Sequence, residues 1–320
     1  MTRLSPQGLL FGVLAGAACA LLAGSLLTQT ALAVLLFLGA ALPVIAVGLW
    51  FGPSASAIAA VVAWGLATAF VSYAAGIVTL LAIALPAALA TYLIALARPA
   101  EEIGGEAGSV VWFPLADVVL FCGLTVALGL IAMGAWFGYG QEFALSFAQQ
   151  IEADFRAADP TFQPSADFAA SLGAFIYRAV PLVQPAMLTL AVMANLYIAL
   201  ALVRSSGRLA RPRDDWPAMM RMPKLALPIF GVALAASFLS GPVGLIGSVV
   251  CGAVGAGFLM AGLAIVHERT RGKAARGLML SIAYALVFLF APALFVFVIA
   301  GLFDTRRSAP MSAADDQPVS

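Results

Sequence analysis

Residues 8–27 read GLLFGVLAGAACALLAGSLL, twenty positions without one charged side chain. An α-helix rises 1.5 Å per residue, so about 20 residues cross the roughly 30 Å hydrocarbon core of a bilayer. The stretch is apolar on every face, whereas a helix on a water-soluble protein keeps a polar side. Nor does the run end there, since no Asp, Glu, Lys, Arg or His occurs anywhere from residue 8 to residue 97. Hydrocarbon offers backbone N–H and C=O groups no partner, so each continuous apolar block must pair its own backbone as a helix. A transmembrane barrel would need alternating strands of about ten residues, and no such pattern appears. The expected fold is therefore all-α, a polytopic transmembrane helical bundle.

Composition agrees. The chain is 63% hydrophobic and 10% charged, where soluble domains sit near 25% charged. Cys19, Cys122 and Cys251 each fall inside an apolar block and read as small core residues. With a single histidine and thiols so far apart, no zinc-type cluster is expected, and no cofactor. Arg3, an apolar run and Ala31-Leu32-Ala33 imitate a secretory leader. The run of about 20 residues exceeds the 7–15 of a leader's apolar core, which favours a retained first span.

Apolar blocks between breakers predict about nine spans, near 8–28, 31–50, 54–73, 76–97, 111–134, 179–203, 225–240, 243–266 and 277–303. Phe51-Gly52-Pro53-Ser54 and Ser240-Gly241-Pro242 are the turns between neighbours, with proline suited to open the next helix. Lysine and arginine set orientation. With a cytoplasmic N-terminus, inside segments hold Arg3, Arg98, Arg204, Arg208, Arg211, Arg213, Arg221, Lys224, Arg269, Arg271, Lys273 and Arg276, twelve of the sixteen basic residues. Arg156, Arg178, Arg306 and Arg307 fall outside. Nine spans put the C-terminus on the outer side, where Arg306 and Arg307 are discordant; eight spans would reconcile them. The expected organisation is one transmembrane domain over 1–305, an external segment at 135–178, and a disordered polar tail at 306–320. The location expected is a bacterial inner membrane.

The external segment is acidic, with Glu142, Glu152, Asp154, Asp159 and Asp167. Phe143, Phe147, Ile151 and Phe155 recur every fourth residue, and Phe168, Leu172 and Phe175 repeat the pattern. Two short amphipathic helices lying on the membrane surface are expected, as a plain connector or as a lid over an outward-facing cavity.

Small residues at Gly8, Gly12, Gly16, Ala20 and Gly24 form a ladder that lets helix backbones approach closely. Shorter ladders run through Ala55, Ala59, Ala63 and Ala67, and through Gly244, Ser248, Gly252 and Ala256. Internal packing and docking of another membrane subunit both fit. Polar groups inside spans are costly enough to mark function. Gln184 and Asn195 are eleven residues apart, about 16 Å on one helix face. Interhelical glue and a ligand-facing wall both fit, with Tyr284 on a second wall. Asp117 suits an interfacial carboxylate better than a proton relay, and His267 suits a solvated helix end. No Walker A, G-x-S-x-G or H-E-x-x-H pattern occurs, so neither ATP hydrolysis nor other catalysis is expected. The basic clusters fit anionic lipid; nucleic acid is not expected.

Leu42-Pro43-Val44-Ile45-Ala46-Val47-Gly48-Leu49-Trp50-Phe51-Gly52-Pro53 resembles a motif of a bacterial membrane-protein family of unknown function, number 2232, which includes YybS-like proteins. Further similarity lies in Trp112-Phe113-Pro114, around Asn195, in Arg221-Met222-Pro223, in residues 258–267 and in Gly301-Leu302-Phe303-Asp304. Together these cover roughly residues 8 to 305, and segment 137–178 matches little. That family is similar in turn to the substrate-capture subunits of energy-coupling-factor transporters, which take vitamins or metal ions from outside and dock on a separate ATP-driven module. The resemblance implies a small-molecule capture or transport subunit, with an unknown small molecule and another membrane subunit as the expected partners beside the lipid. A non-transporting membrane scaffold or assembly protein is the alternative.

Overall fold

A computed structural model of the chain describes residues 5–28, 30–290, 292–305 and 312–313. Arg3, Arg306 and Arg307 lie outside the described residues, as does the tail expected to be disordered, apart from 312–313. Helix α1 (Pro6–Gly24) opens on Ser5, whose Oγ accepts from the Gly8 N–H, and is prolonged by the 3₁₀ turn Ser25–Thr28. Helices α2 (Ala31–Leu38) and α3 (Ala41–Phe51) are two halves of one span broken at Gly39. Next come α4 (Pro53–Phe70), α5 (Tyr73–Val78), a π-helical stretch Thr79–Ala84, and α6 (Leu85–Ile94). A hairpin of β1 (Ala97–Pro99) and β2 (Val110–Trp112) follows, paired antiparallel with Arg98 opposite Val111.

The second half holds α7 (Leu115–Phe137), α8 (Gln141–Ala158), α9 (Phe168–Ser205) and the single turn α10 (Trp216–Met219). It continues through α11 (Ala226–Ser237), α12 (Gly241–Arg269), α13 (Arg276–Leu289) and α14 (Pro292–Asp304). Strand β3 (Ser312–Ala313) lies antiparallel beside β2, giving the order β1-β2-β3. One end of the bundle carries the β-hairpin, the 206–224 connection and the 270–275 turn; we call it the basic end. The opposite, acidic end carries the 138–167 segment and the turn between α11 and α12.

Seven stretches among the described residues are long and apolar enough to cross a bilayer. They are Pro6–Thr28, Ala31–Phe51, Pro53–Phe70, Tyr73–Ile94, Leu115–Phe137, Phe168–Ser205 and Gly241–Arg269; a bent pair of helices would make eight. The polytopic bundle is as expected, and the count differs from nine at two places. The block at 225–240 runs from the basic end to the acidic end, but its helix has only 12 residues, about 18 Å, and is not among the seven long stretches. The block at 277–303 divides into α13 and α14, which meet at 115°. Phe290 is extended (φ −135°, ψ 87°), and Pro292 has no N–H with which to continue a helix through the break. Hydropathy carries no information about such an angle.

The bend decides where the chain ends. Asp304 at the foot of α14 lies 3.4 Å from Arg221 of the basic end, and Ser312 pairs with Trp112. The chain described after α14 is thus at the basic end, opposite to the outer C-terminus that nine crossings would give.

Packing follows the small residues. A Cβ added to Gly12 would meet the Ala55 carbonyl oxygen at 3.0 Å, and one added to Gly16 would meet the Ala59 carbonyl oxygen at 2.6 Å. Gly12 and Gly16 therefore seat α4, and Gly8 meets Phe51 of α3, so along these residues the ladder is filled from within the protein. Ala20 is half-buried, and nothing lies within 4 Å of a Cβ at Gly24. Similarly, Gly252 of α12 abuts the Leu182 carbonyl and Pro185 of α9. Large side chains such as Leu21, Phe70 and Leu128 point outward. That division suits a lipid solvent, which gives no drive to bury leucine and leaves close backbone approach to hold helices together.

The external segment departs from expectation. Phe168, Leu172 and Phe175 do not form a separate surface helix; they open α9, which runs 38 residues unbroken, about 57 Å. Helix α8 packs along this extension through Ala144 and Ala148, both fully buried against Ile176. Phe143, Phe147 and Phe155 remain exposed on its other side.

Replacing Gly16 by Leu should lower the thermal unfolding temperature in detergent, by the equivalent of about 1–3 kcal/mol for an overpacked contact. Gly24→Leu should leave it unchanged. Equal effects would show that the α1–α4 contact is not the cause.

Candidate functional site

The residues singled out by polarity in the spans are distributed rather than gathered. Asn195 is buried, and its Nδ2 donates to the Leu38 and Ala191 carbonyls, each at 2.7 Å. The first bond has a local cause. Helix α2 stops at Leu38, the Gly39 N–H turns back to Leu35 and Leu36, and the Leu42 N–H bonds to Gly39. The Leu38 carbonyl is left without its usual partner four residues on, and in hydrocarbon it needs another. Asn195 supplies it from a helix remote in sequence.

Gln184, on the same face by count, is exposed. At its level the neighbour of α9 is α12 at Gly252, which meets Leu182 and Pro185, so the buried side differs from that around Asn195. Tyr284 is exposed on α13, its hydroxyl 2.9 Å from His267 Nε2 at the end of α12. Asp117 sits in the first turn of α7, where the positive end of the helix dipole favours a carboxylate. None of Asn195, Gln184 and Tyr284 lines the cleft described next.

A cleft of about 770 Å³ opens at the acidic end, between the α8–α9 hairpin and the α11–α12 turn. That volume falls within the range of small-molecule sites, roughly 300–1,000 Å³. One wall carries Gln141 and Leu145 from α8 with Gly173, Tyr177 and Arg178 from α9; the other carries Ser237 to Gly241, Gly244, Leu245 and Ser248. Arg178 is the single charged residue of this lining. Ser237 and Ser248 donate their hydroxyls to the Leu234 and Gly244 carbonyls, 2.7 and 2.8 Å away, which leaves their oxygens as acceptors. Ser240 precedes α12 without capping it, so the amino end of that helix faces the opening.

The hairpin wall is fixed by Tyr139, whose hydroxyl donates to the Ile176 carbonyl at 2.9 Å. Burial, with Tyr177 adding to it, pushes the Tyr139 phenol up to about 12, so it keeps this proton at physiological pH. Sequence reasoning named Arg178 only as an outer charge and Ser240-Gly241-Pro242 only as a turn. Their convergence depends on the α8–α9 hairpin, which periodicity does not reveal.

The basic end is held by arginines that also serve as orientation signals. Arg211 places Nε 2.7 Å and Nη2 3.0 Å from the two oxygens of Asp214, while Nη1 donates to the Ile94 and Phe113 carbonyls at 3.2 and 3.0 Å. Its guanidinium also lies 5.9 Å from the Trp112 ring centroid. Both side chains of the pair are almost wholly buried. Ile94 ends α6, so the contact satisfies a carbonyl that no helical N–H can reach. Arg221 reaches Asp304 at 3.4 Å and Glu268 at 3.8 Å. Arg271 donates through both terminal nitrogens to the exposed Asp215 and holds that carboxyl below its usual range. Arg208 lies 5.3 Å over Trp50. Among the described residues no group of three or more His, Cys, Asp or Glu is placed to hold a metal ion.

In comparisons with known proteins, the family described as predicted membrane protein (DUF2232) matches residues 17–305. No curated protein and no solved structure matches the chain.

Truncating Arg211 to Ala strands a buried carboxylate, which typically costs about 3–5 kcal/mol. Removing the exposed Arg271 should cost about 0–1 kcal/mol. Chemical unfolding of R211A and R271A in the same detergent should show that order, and equal losses would contradict the burial described for Arg211.

Proposed function

The chain belongs to the DUF2232 family of predicted membrane proteins, and from that premise we propose that it is an inner-membrane capture subunit for a small molecule. The observation that carries this reading is the cleft of about 770 Å³ at the acidic end. The proposed orientation puts the basic end in the cytoplasm, with the N-terminus there, because eleven of the described basic residues belong to it. The cleft then faces outward, where a ligand arrives from the aqueous side.

The reading is one of binding rather than catalysis. The cleft lining offers no carboxylate, histidine or thiol to move a proton or attack a substrate. No Walker A sequence occurs in the chain, so any transport would draw on an energising partner, as the similarity to energy-coupling-factor subunits implies. Such a partner would dock away from Gly8, Gly12 and Gly16, which α3 and α4 cover.

A second reading, a non-transporting scaffold, is favoured by the interior of the bundle. Leu120, Val126, Val192, Val254 and Phe258 fill it with buried apolar side chains. Polar cavities are a feature of transport pathways, and buried Asn195 and Thr189 are spent on backbone carbonyls.

Two measurements test the proposal. In intact cells a membrane-impermeant maleimide should label a Gln149→Cys variant, and should label Arg208→Cys only after permeabilisation; the reverse pattern would overturn the orientation. For the purified protein in lipid nanodiscs, at least one member of a panel of small ions, vitamins and organic acids should bind. Ser240→Trp, which fills the cleft mouth, should weaken that binding at least about tenfold, or 1.4 kcal/mol, without lowering the unfolding temperature. Native protein that binds nothing in the panel would leave the scaffold as the better reading.

A further inference from the structure

The lining of the cleft is uneven in a way that selects among ligands. Its one charge, Arg178, makes no ion pair with any described residue. The surrounding segment is rich in acids, yet none lines the opening. Glu152 pairs with Arg156, Asp154 accepts from Gln150, and Asp159 accepts from Thr161. These three carboxylates are engaged on α8 and its following loop, and Glu142 and Asp167, although next to or near Gln141 and Ala170 in sequence, do not line the cleft. Between the polar groups on both walls, Leu145, Phe238 and Leu239 are exposed and border the same space as half-buried Leu245.

Resting on the capture reading above, we infer that the ligand carries one anionic head, a carboxylate or phosphate, on a short apolar body. The head sits against Arg178, with the Gln141 amide as a neutral donor beside it; the body lies along Leu145, Phe238, Leu239 and Leu245. A guanidinium presents a planar fork of donors matched to carboxylate and phosphate oxygens. Beside a low-dielectric wall its charge is screened less than in bulk water, so an ion of opposite sign gains and a cation is repelled. A neutral polar ligand would leave the guanidinium unpaired, and a fully charged one such as a polyphosphate would leave the apolar wall uncovered. The same chemistry belongs to a free organic acid and to the headgroup of an anionic lipid.

The test reads the cleft directly. A Ser240→Cys variant is labelled with a maleimide in phosphatidylcholine nanodiscs, the native cysteines being buried. Hexanoate, hexyl phosphate, hexanol and hexylammonium then compete with labelling, a series that varies the head on one apolar body. The two anions should halve the labelling rate at a concentration about tenfold below that needed for hexanol, the order expected of one charge-assisted hydrogen bond. Arg178→Gln in the same background should abolish the difference, and Arg178→Lys should retain most of it. Protection that appears when phosphatidylglycerol is added to the nanodisc, and is lost in R178Q, supports the inference with lipid as the source; protection by soluble anions alone supports it with an aqueous ligand. If hexanol or hexylammonium protects as well as the anions do, the capture reading stands and the anionic head is overturned. If no competitor and no lipid protects, the anionic head on a short apolar body is overturned, and the capture reading rests on the wider panel of ions, vitamins and organic acids.

Discussion

Hydrocarbon cannot hydrogen-bond, and every feature of this protein answers to that fact. Backbone polar groups in the spans must find partners within the protein, each failure costing several kcal/mol. Continuous helices meet the requirement alone. Where a helix is interrupted, a side chain from elsewhere has to intervene. Asn195 does so for the Leu38 carbonyl at the α2–α3 break, and Arg211 does so for Ile94 at the end of α6. These two polar residues belong to the scaffold because they repair the backbone.

The same solvent inverts the usual inside and outside. Leucine and phenylalanine gain nothing by leaving lipid, so they cover the surface, and alanine and glycine occupy the contacts. The α1–α4 pair shows the consequence. Gly12 and Gly16 bring backbone against backbone, with the Ala55 and Ala59 carbonyls where side chains would otherwise stand. Many short-range dispersion contacts and weak Cα–H···O contacts then hold what the hydrophobic effect does not. A ladder with that geometry is complete once a second helix from the same chain fills it.

The two ends of the bundle solve different problems. At the basic end, charged side chains are paired and partly buried, so loops that would otherwise be independent are tied to α6, α12 and α14. At the acidic end, α9 runs on past the apolar blocks, and α8 packs beside it on alanine. This hairpin stands apart from the α11–α12 turn, and the space between them is the cleft. Function is proposed for the end that is open, and the well-tied end supplies the rigidity.

Length and apolar character of the blocks were enough to determine a multi-spanning helical bundle, because bilayer thickness converts residue number into span directly. Turn residues at Gly52-Pro53 and Gly241-Pro242 fixed two boundaries for the same local reason, and the arginine distribution distinguished the ends. Tertiary structure decided the rest. That α11 joins the two ends with only 12 helical residues, that α13 and α14 fold back at 115°, and that Phe168 opens a 38-residue helix depend on angles and neighbours that hydropathy does not encode. The candidate site was legible only in part. Arg178 could be seen as a charge, while Asn195 and Gln184 were equivalent polar groups in a span. What separated them was the neighbour each one met: a broken helix beside Asn195, open surroundings at Gln184, and an unfilled space beside Arg178. Partners across helices are set by three-dimensional packing, and a one-dimensional pattern holds no record of them.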